Sequence, residues 1–168
     1  KLLVTDSFKG KIATVGINEK ADYQARNITY SNKGMNFQVI LDGSKHNFSV
    51  PLYGFHNIYN ALFSIAVTHQ LGFTPKEMQQ GFNFSNQILR NSRRLSVYHI
   101  ANNVQIIDDT WSANPQATKA ALDVLENLGK NNNIAVLGNM LELGGYTTDG
   151  HKEVGEYLTK KKVHTLFT

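Results

Sequence analysis

The chain has 168 residues, of which 41% are hydrophobic and 18% charged, proportions typical of a globular protein with a buried core. The net charge of +4 is small, and basic residues are not interleaved with aromatic ones, which argues against a nucleic-acid partner. No apolar run reaches the ~20 residues that a membrane-spanning helix needs, and no signal-peptide pattern is present. Since cysteine is absent, disulfides and thiolate metal sites are excluded. A reducing cytoplasm, which is the location that we expect, is compatible with this composition.

Both ends of the sequence look like the interior of a larger protein. Residues 1–4 do not resemble a natural beginning, and there is no initiator methionine. Residues 163–168 predict a buried strand with no later segment to complete its sheet. We therefore expect the chain to be part of a longer protein.

The first half predicts β-structure followed by helices. Four short segments have strand composition: residues 12–17, 24–30, 36–41 and 47–52. The last two flank Asp42-Gly43, a favoured pair for a tight hairpin turn. The apolar period then changes to that of a helix over residues 58–71.

A second, shorter helix is predicted from the residues that precede it. Thr74 is suited to cap a helix, Pro75 to occupy its first position and Glu77 to lie in its first turn. We expect this helix to end near Gly81, because the residues that follow are mainly polar.

The polar residues 83–92 are weakly periodic, so we interpret this stretch as containing a linker. Beyond it, apolar strands alternate with helices, an order that predicts an α/β fold with a largely parallel sheet. The strands are predicted at residues 95–100, 104–108, 134–137 and 163–167, and the helices at residues 115–128 and 150–161.

The first group of candidate functional residues is His56-Asn57 together with Asn60. Asn57 lies where the β-structure gives way to the helix, so it could simply cap that helix, and the residues alone favour this role. Asn60 follows one turn later, so both amides could face the same side. Two amides on one face provide the donors and acceptors needed to bind an adenine edge or a ribose.

Two further groups lie beyond the linker. Arg94 precedes a strand, where it could clamp a phosphate or pair with a linker carboxylate, and the residues alone favour the pairing. Asp108-Asp109 ends an apolar strand, and Asn114-Pro115 begins the next helix. Ligands of α/β sheets gather at the carboxyl ends of strands, and adjacent acids ionise together only in a wet or cation-rich setting. We therefore favour a binding site at this loop.

The loop after the next strand, residues 138–144, gives a weaker signal. Glu142 could bind a cation or an amine, or could be a solvated loop acid. Four histidines are scattered without metal-ligand spacing, so we predict no metal site from them: His46, His69, His99 and His164.

Taken together, these motifs resemble those of the Mur ligases, ATP-dependent enzymes that extend the peptide stem of bacterial cell-wall precursors. The His56-Asn57-x-x-Asn60-Ala61 run, the arginine before a strand and the loop from Asp108 to Pro115 occur in the family's order. Within the family they are most similar to members that join D-alanyl-D-alanine to a UDP-muramoyl tripeptide. Those members share the runs Ala-Ala-Leu, Gly-x-Met-Leu-Glu-Leu-Gly and His-x-x-Val-Gly, found here at residues 120–122, 138–144 and 151–155.

The resemblance implies an α/β protein in two parts. Residues 1–84 would be the end of a central ATPase domain, built of β-hairpins and helices. Residues 85–92 would be a linker, and residues 93–168 an incomplete Rossmann-like C-terminal ligase domain.

The resemblance also implies roles for individual residues. Asn57 and Asn60, preceded by His56, would contact the adenosine of ATP. Arg94 would meet its ribose or phosphate side and Asp109 would help to hold the ribose. Asn114 would shape the same pocket, whereas Asn139 and Glu142 would lie on the substrate side.

The implied reaction consumes ATP with magnesium. The carboxylate of a UDP-muramoyl peptide is phosphorylated, and D-alanyl-D-alanine then attacks the acyl phosphate through a tetrahedral intermediate. Such chemistry depends mainly on positioning and charge neutralisation.

Several departures from the family pattern limit these expectations. The sequence has no Gly-x-x-Gly-Lys-Thr/Ser phosphate loop, and the family's magnesium-organising residues lie N-terminal to the matching segment, so we expect the chain alone to be inactive. Trp111-Ser112 replaces the usual Tyr-Asn, and Asn139 replaces the usual Asp. A Mur-like ligase with another amine or carboxylate substrate, or a nucleotide-binding module without catalysis, therefore remains an alternative.

The two-part organisation leads to an expectation about motion. If the linker joins two bodies, the separation between His56-Asn57 and Arg94 should differ between the free and nucleotide-bound states. The oligomeric state is not determined by the sequence.

Overall fold

The computed structural model describes the backbone of residues 7–89 and 93–168, and the side chains of residues 7–84 and 93–168. Its first half begins with two short parallel strands, β1 (Val15–Gly16) and β2 (Tyr23–Gln24). A three-stranded antiparallel sheet follows, in the order β3-β4-β5. Its strands are β3 (Arg26–Ser31), β4 (Gly34–Leu41) and β5 (Ser44–Val50).

The hairpin predicted at Asp42-Gly43 is confirmed. Leu41 pairs with Ser44 across a two-residue turn, and Asp42 and Gly43 have φ angles of 49° and 77°. Two successive positive φ angles match the right-handed twist of the flanking strands, which explains the Asp-Gly preference. On β4, alternate residues are buried and form one wall of the core: Met35, Phe37, Val39 and Leu41.

Two helices complete the first half, α1 (Phe55–Gln70) and α2 (Pro75–Leu89). The core-facing side of α1 carries Ile58, Leu62 and Ile65, all fully buried. α2 begins at Pro75, directly after Thr74, as predicted. The carboxylate of Glu77 accepts hydrogen bonds from the N–H and the hydroxyl of Thr74, at 2.7 and 2.6 Å.

The predicted end of α2 near Gly81 is wrong, because the helix continues to Leu89. Asparagine and serine are weak helix formers, which motivated the earlier end. Packing of Met78 and Phe82 on the core outweighs that propensity. The predicted linker, residues 85–92, is thus helical as far as Leu89, and its residues 90–92 lie outside the described part of the chain.

The second half contains four strands and two α-helices, as predicted. The strands are β6 (Ser96–His99), β7 (Gln105–Asp108), β8 (Ile134–Val136) and β9 (Thr165–Phe167), and the helices are α3 (Pro115–Leu128) and α4 (Thr147–Leu158). The expected α/β class is confirmed. The largely parallel sheet is not, because β6 and β7 pair antiparallel and only β8 and β9 pair parallel among the described strands of this half. The short connection between β6 and β7 explains the difference, since parallel pairing needs a long crossover.

The two halves share one buried cluster. Leu95 and Val124 from the second half belong to the same cluster as Phe48 and Ile58 from the first. A tyrosine of β3, Tyr30, has its pKa raised by burial and by the Asp123 carboxylate of α3. The shared cluster, which contains Leu95 and Ile58, places the start of β6 and the end of β7 beside α1.

Lys161, the middle residue of the three lysines at positions 160–162, contacts two carboxylates of α3. Nζ of Lys161 lies 2.6 Å from a carboxylate oxygen of Asp123 and 3.1 Å from one of Glu126, so it links the segment after α4 to α3. In the part of the chain that the structure describes, no helix combines the length and the apolar character needed to cross a bilayer.

Candidate functional site

A cavity of 510 Å³ lies between the start of α1, the start of β6, the end of β7 and the start of α3. All six residues predicted for nucleotide binding line it: His56, Asn57, Asn60, Arg94, Asp109 and Asn114. Its remaining lining residues are Leu52, Leu95, Trp111, Ser112, Gln116, Ala117 and Ala120. Residues on either side of the predicted linker therefore line one shared space, large enough for a small-molecule ligand.

The α1 side of the cavity depends on Gly54. This residue is the N-cap of α1, with a φ of 94°, a conformation that favours glycine. A side chain there would also meet the imidazole of His56 at 2.6 Å and Leu95 at 3.4 Å. Glycine thus allows the His56 ring to lie close to the backbone at the helix start.

The prediction that Asn57 caps α1 is wrong. Because the helix begins earlier, at Phe55, Asn57 lies inside its first turn. Its side-chain NH₂ donates to the carbonyl oxygen of Tyr53 at 2.7 Å, and its side-chain oxygen accepts from the NH₂ of Asn60 at 3.2 Å. The two amides are therefore coupled and lie on the same side of the helix, as their spacing predicted.

On the opposite wall, the two adjacent acids have different roles. Asp108 accepts hydrogen bonds from the N–H and hydroxyl of Thr110, at 3.1 and 2.7 Å, which shapes the turn after β7. Asp109 accepts from the backbone N–H of Leu95 at 2.9 Å. Only Asp109 lines the cavity, so the tandem motif supplies one turn-forming residue and one site residue.

The charges of His56 and Asp109 influence each other across the cavity. Burial raises the pKa of Asp109, and the N–H of Leu95 and the charges of His56 and Arg94 oppose this shift. Burial lowers the pKa of His56, with Asp109 opposing. Both shifts favour the neutral form of the side chain, because burial makes each charge more costly than it is in water.

Trp111 connects the two arginines that precede β6. The guanidinium carbons of Arg93 and Arg94 lie 5.5 and 5.8 Å from the centre of its ring, within the range of a cation–π contact. Its backbone N–H donates to the carbonyl oxygen of Arg93 at 3.1 Å. Arg94 and Trp111 both line the cavity, so a cation and an aromatic face are presented together.

Asn114 was predicted to cap α3 and to shape the binding pocket, and in the structure it caps α3 and lines the cavity. Its side-chain oxygen accepts from the N–H of Ala117 at 2.9 Å, which caps α3 directly before Pro115. It also lines the cavity. The start of α3, with its positive dipole end, therefore borders the same space.

Asn139 and Glu142 lie elsewhere. Both are exposed, on the loop after β8, and neither lines the cavity of 510 Å³. Glu142 has a φ of 61°. The ring of His151 holds this loop, since Nε2 accepts from the N–H of Met140 at 3.0 Å and Nδ1 donates to the carbonyl oxygen of Thr147 at 2.7 Å.

Within the described residues, no group of three or more His, Asp or Glu side chains is placed to hold a metal ion.

Part of the cavity wall was not predicted from the sequence. Leu52, Gln116 and Ala120 carry no chemical signal that separates them from ordinary surface residues. Trp111 could have been found, because an aromatic residue in the loop that follows two acids at a strand end is suited to a binding site. It is 56% exposed although it is large and apolar.

Two family models match the chain, the Mur ligase middle domain at residues 4–68 and the Mur ligase glutamate ligase domain at residues 93–168. Together with the fold and the cavity, these matches show that the chain belongs to the Mur ligase family.

Among its relatives is the UDP-N-acetylmuramoyl-tripeptide–D-alanyl-D-alanine ligase of Bacillus subtilis, 30% identical over 99% of this chain and 35% of the relative. A UDP-N-acetylmuramate–L-alanine ligase of Caldanaerobacter subterraneus is 34% identical over 79% of this chain and 28% of its own length. The chain thus spans about a third of the curated relatives it matches.

Solved structures give the same result. MurF from Acinetobacter baumannii superposes with a TM-score of 0.79 at 28% identity, over 93% of this chain and 33% of that one. MurF from Thermotoga maritima, solved in complex with ADP, has a TM-score of 0.68 at 23% identity over 89% of this chain and 34% of its own. At this lower identity the likeness concerns the fold.

Proposed function

We propose that the chain supplies the adenosine-facing walls of the ATP site in a ligase of cell-wall precursor synthesis. The observation that carries this proposal is the convergence of six polar residues on one cavity: His56, Asn57, Asn60, Arg94, Asp109 and Asn114. Paired amides suit a base edge, a carboxylate suits ribose hydroxyls and a guanidinium suits phosphate.

In the proposed reaction, the terminal phosphoryl group of ATP passes to the carboxylate of a UDP-muramoyl peptide, giving an acyl phosphate and ADP. The amine of D-alanyl-D-alanine then attacks the acyl carbon, and phosphate leaves as the amide forms and the amine loses a proton. The residues of this chain act by orienting the nucleotide and excluding water around its base.

Because the sequence has no Gly-x-x-Gly-Lys-Thr/Ser run, we expect no ATP turnover by the chain alone. A cytoplasmic location stays a prediction.

A second acceptor chemistry is supported by a specific observation. The L-alanine ligase of Caldanaerobacter subterraneus is at least as similar in percentage identity as the D-alanyl-D-alanine ligase of Bacillus subtilis. The pair Trp111-Ser112 also departs from the family pattern. A ligase that uses another amine is therefore the alternative.

The test is an assay of the complete ligase that contains this chain. ATP and UDP-muramoyl tripeptide are supplied with D-alanyl-D-alanine, and in parallel UDP-N-acetylmuramate with L-alanine. We expect ADP and an amide product with the first pair, and product only with the second pair would select the alternative. No ADP release with either pair would contradict both of these substrate assignments.

A matched pair of variants tests the site within the same assay. Arg94→Ala should raise the KM for ATP, because it removes a cation from the cavity. Arg26→Ala should leave it unchanged, since the Arg26 guanidinium bonds only the Gln24 side chain among the described residues.

A further inference from the structure

Two asparagines at the start of α1 form an ordered relay that begins at a backbone carbonyl. The NH₂ of Asn57 donates to the carbonyl oxygen of Tyr53 at 2.7 Å. The side-chain oxygen of Asn57 in turn accepts from the NH₂ of Asn60 at 3.2 Å. Both asparagines line the cavity of 510 Å³.

The first member of the relay determines the orientation of the other two. A backbone carbonyl can only accept a hydrogen bond, so the Asn57 atom that contacts Tyr53 must be nitrogen. The remaining Asn57 atom is then oxygen, and the Asn60 atom that contacts it must be nitrogen. The hydrogen bonds thus fix which end of each amide is oxygen, although the two atoms are similar in size.

The consequence is that Asn60 offers its side-chain oxygen, Oδ1, to the cavity as an acceptor. One of the two N–H donors of its NH₂ group is engaged by Asn57, which fixes the orientation of the amide. Reversing the Asn60 amide would place two oxygens together and would leave the hydrogen bond to Asn57 unmade.

We propose that Asn57 is a positioning residue that makes the site select bases with an exocyclic amino group. Through Asn57, the Tyr53 carbonyl keeps Oδ1 of Asn60 as an acceptor. Adenine presents an amino donor at its six position, whereas hypoxanthine presents an oxygen acceptor there. The site therefore binds adenine nucleotides in preference to hypoxanthine nucleotides. This inference rests on the proposed function, because it requires the base to lie in this cavity.

The relay explains selectivity better than a single asparagine could. An isolated asparagine amide can turn over, because rotation about its terminal torsion is nearly two-fold. It could then serve either base. If the site holds one orientation, Oδ1 of Asn60 faces the six-position oxygen of hypoxanthine, and two acceptors cannot form a hydrogen bond. Such an unmade hydrogen bond discriminates strongly against the hypoxanthine nucleotide.

The experiment measures the affinities of ADP and IDP for the complete ligase by calorimetry. For the unmodified protein we expect ADP to bind at least about tenfold more tightly than IDP. A preference of this size corresponds to one well-placed hydrogen bond. Asn57→Ala frees the Asn60 amide, so the ratio should fall to about threefold or less. A general loss of structure would weaken both nucleotides alike and leave the ratio unchanged.

A second variant keeps the inference testable if Asn57→Ala folds poorly. Asn60→Asp has only acceptors at the end of its side chain. Its carboxylate faces the Asn57 oxygen, so both nucleotides should bind more weakly, but the variant should keep the preference for ADP. Asn60→Ala should lose it. The matched control is Asn127→Ala, because the NH₂ of Asn127 also donates to a carbonyl four residues earlier, that of Asp123, at 2.7 Å. This control lies outside the cavity and should keep the unmodified ratio.

The possible results separate the two proposals. Binding of ADP by Asn57→Ala with both the affinity and the ADP-to-IDP ratio of the unmodified ligase would overturn the relay and leave the proposed function intact. The relay would also be overturned by equal affinities of the unmodified ligase for both nucleotides, as expected if Asn60 accepts from a ribose hydroxyl. Failure of the unmodified ligase to bind ADP would contradict the proposed function itself, and the inference with it.

Discussion

The carboxylate of Asp109 accepts a hydrogen bond of 2.9 Å from the backbone N–H of Leu95. Leu95 is buried and has a φ of 48°, so the residue just before β6 is held in an unusual conformation by the residue just after β7. This contact fixes the wall of the cavity on which Arg94 lies.

Replacing Asp109 should separate its structural role from its charge. Asp109→Ala removes the acceptor, leaves the Leu95 N–H without this partner and should lower the free energy of unfolding by about 1–3 kcal/mol. Asp109→Asn keeps an oxygen for Leu95 and should stay within about 0.5 kcal/mol of the unmodified chain. Urea denaturation of the three proteins measures this, and equal losses in both variants would show that the hydrogen bond is not what matters.

The stability of the chain should depend on His56 below pH 6.5. Burial lowers the pKa of His56 from its ordinary 6.5, so the unfolded state binds more protons than the folded state in the interval just below that value. Stability is therefore lost as the pH falls from 6.5 through the lowered pKa. Urea denaturation at a series of pH values on both sides of 6.5 should show this loss, and His56→Gln should have a shallower slope. An identical slope in the variant would mean that other groups cause it.

Trp111 is the single tryptophan of the chain, so its fluorescence reports on the cavity. We expect ADP to change its emission in the complete ligase once any other tryptophans have been replaced by phenylalanine. Trp111→Ala should weaken ADP binding by about 1–3 kcal/mol through lost stacking, and Trp111→Phe should weaken it less. Unchanged affinity in Trp111→Ala would place the base away from this ring.

Gly34 should not tolerate a side chain. Its φ is +133°, and an added Cβ would lie 2.0 Å from the carbonyl oxygen of Val50. We expect Gly34→Ala to reduce the free energy of unfolding by about 2–4 kcal/mol. The control is Gly155→Ala in α4, where a Cβ meets nothing within 4 Å and should stabilise the chain by up to about 1 kcal/mol. Thermal unfolding compares the two, and equal melting temperatures would contradict the steric explanation.

Local structure was predicted most accurately from the sequence where a residue pair is compatible with only one or two backbone conformations. Asp42-Gly43 and the Thr74–Glu77 cap were found because their chemistry allows few alternatives. Prediction failed where packing decides, as in the continuation of α2 past Gly81. The role of Asn57 was also misjudged, because capping depends on where the helix starts, and a shift of a few residues moves a side chain from the cap into the first turn.

The cavity itself was only partly predictable. Family motifs named six of its residues, but the hydrogen bonds that orient them join positions such as Asp109 and Leu95, which are 14 positions apart in sequence. No pattern in the residues indicates such a pairing. The expected change in separation between His56-Asn57 and Arg94 on nucleotide binding likewise stays a prediction.

The most direct test of the proposed nucleotide site is a crystal structure of the complete ligase with a non-hydrolysable ATP analogue. We expect the adenine between α1 and the loop that carries Trp111, with its amino group within hydrogen-bonding distance of Oδ1 of Asn60. The ribose should lie near Asp109. An adenosine bound outside this cavity, with Asn60 and Asp109 contacting no part of it, would show that the proposed site is wrong.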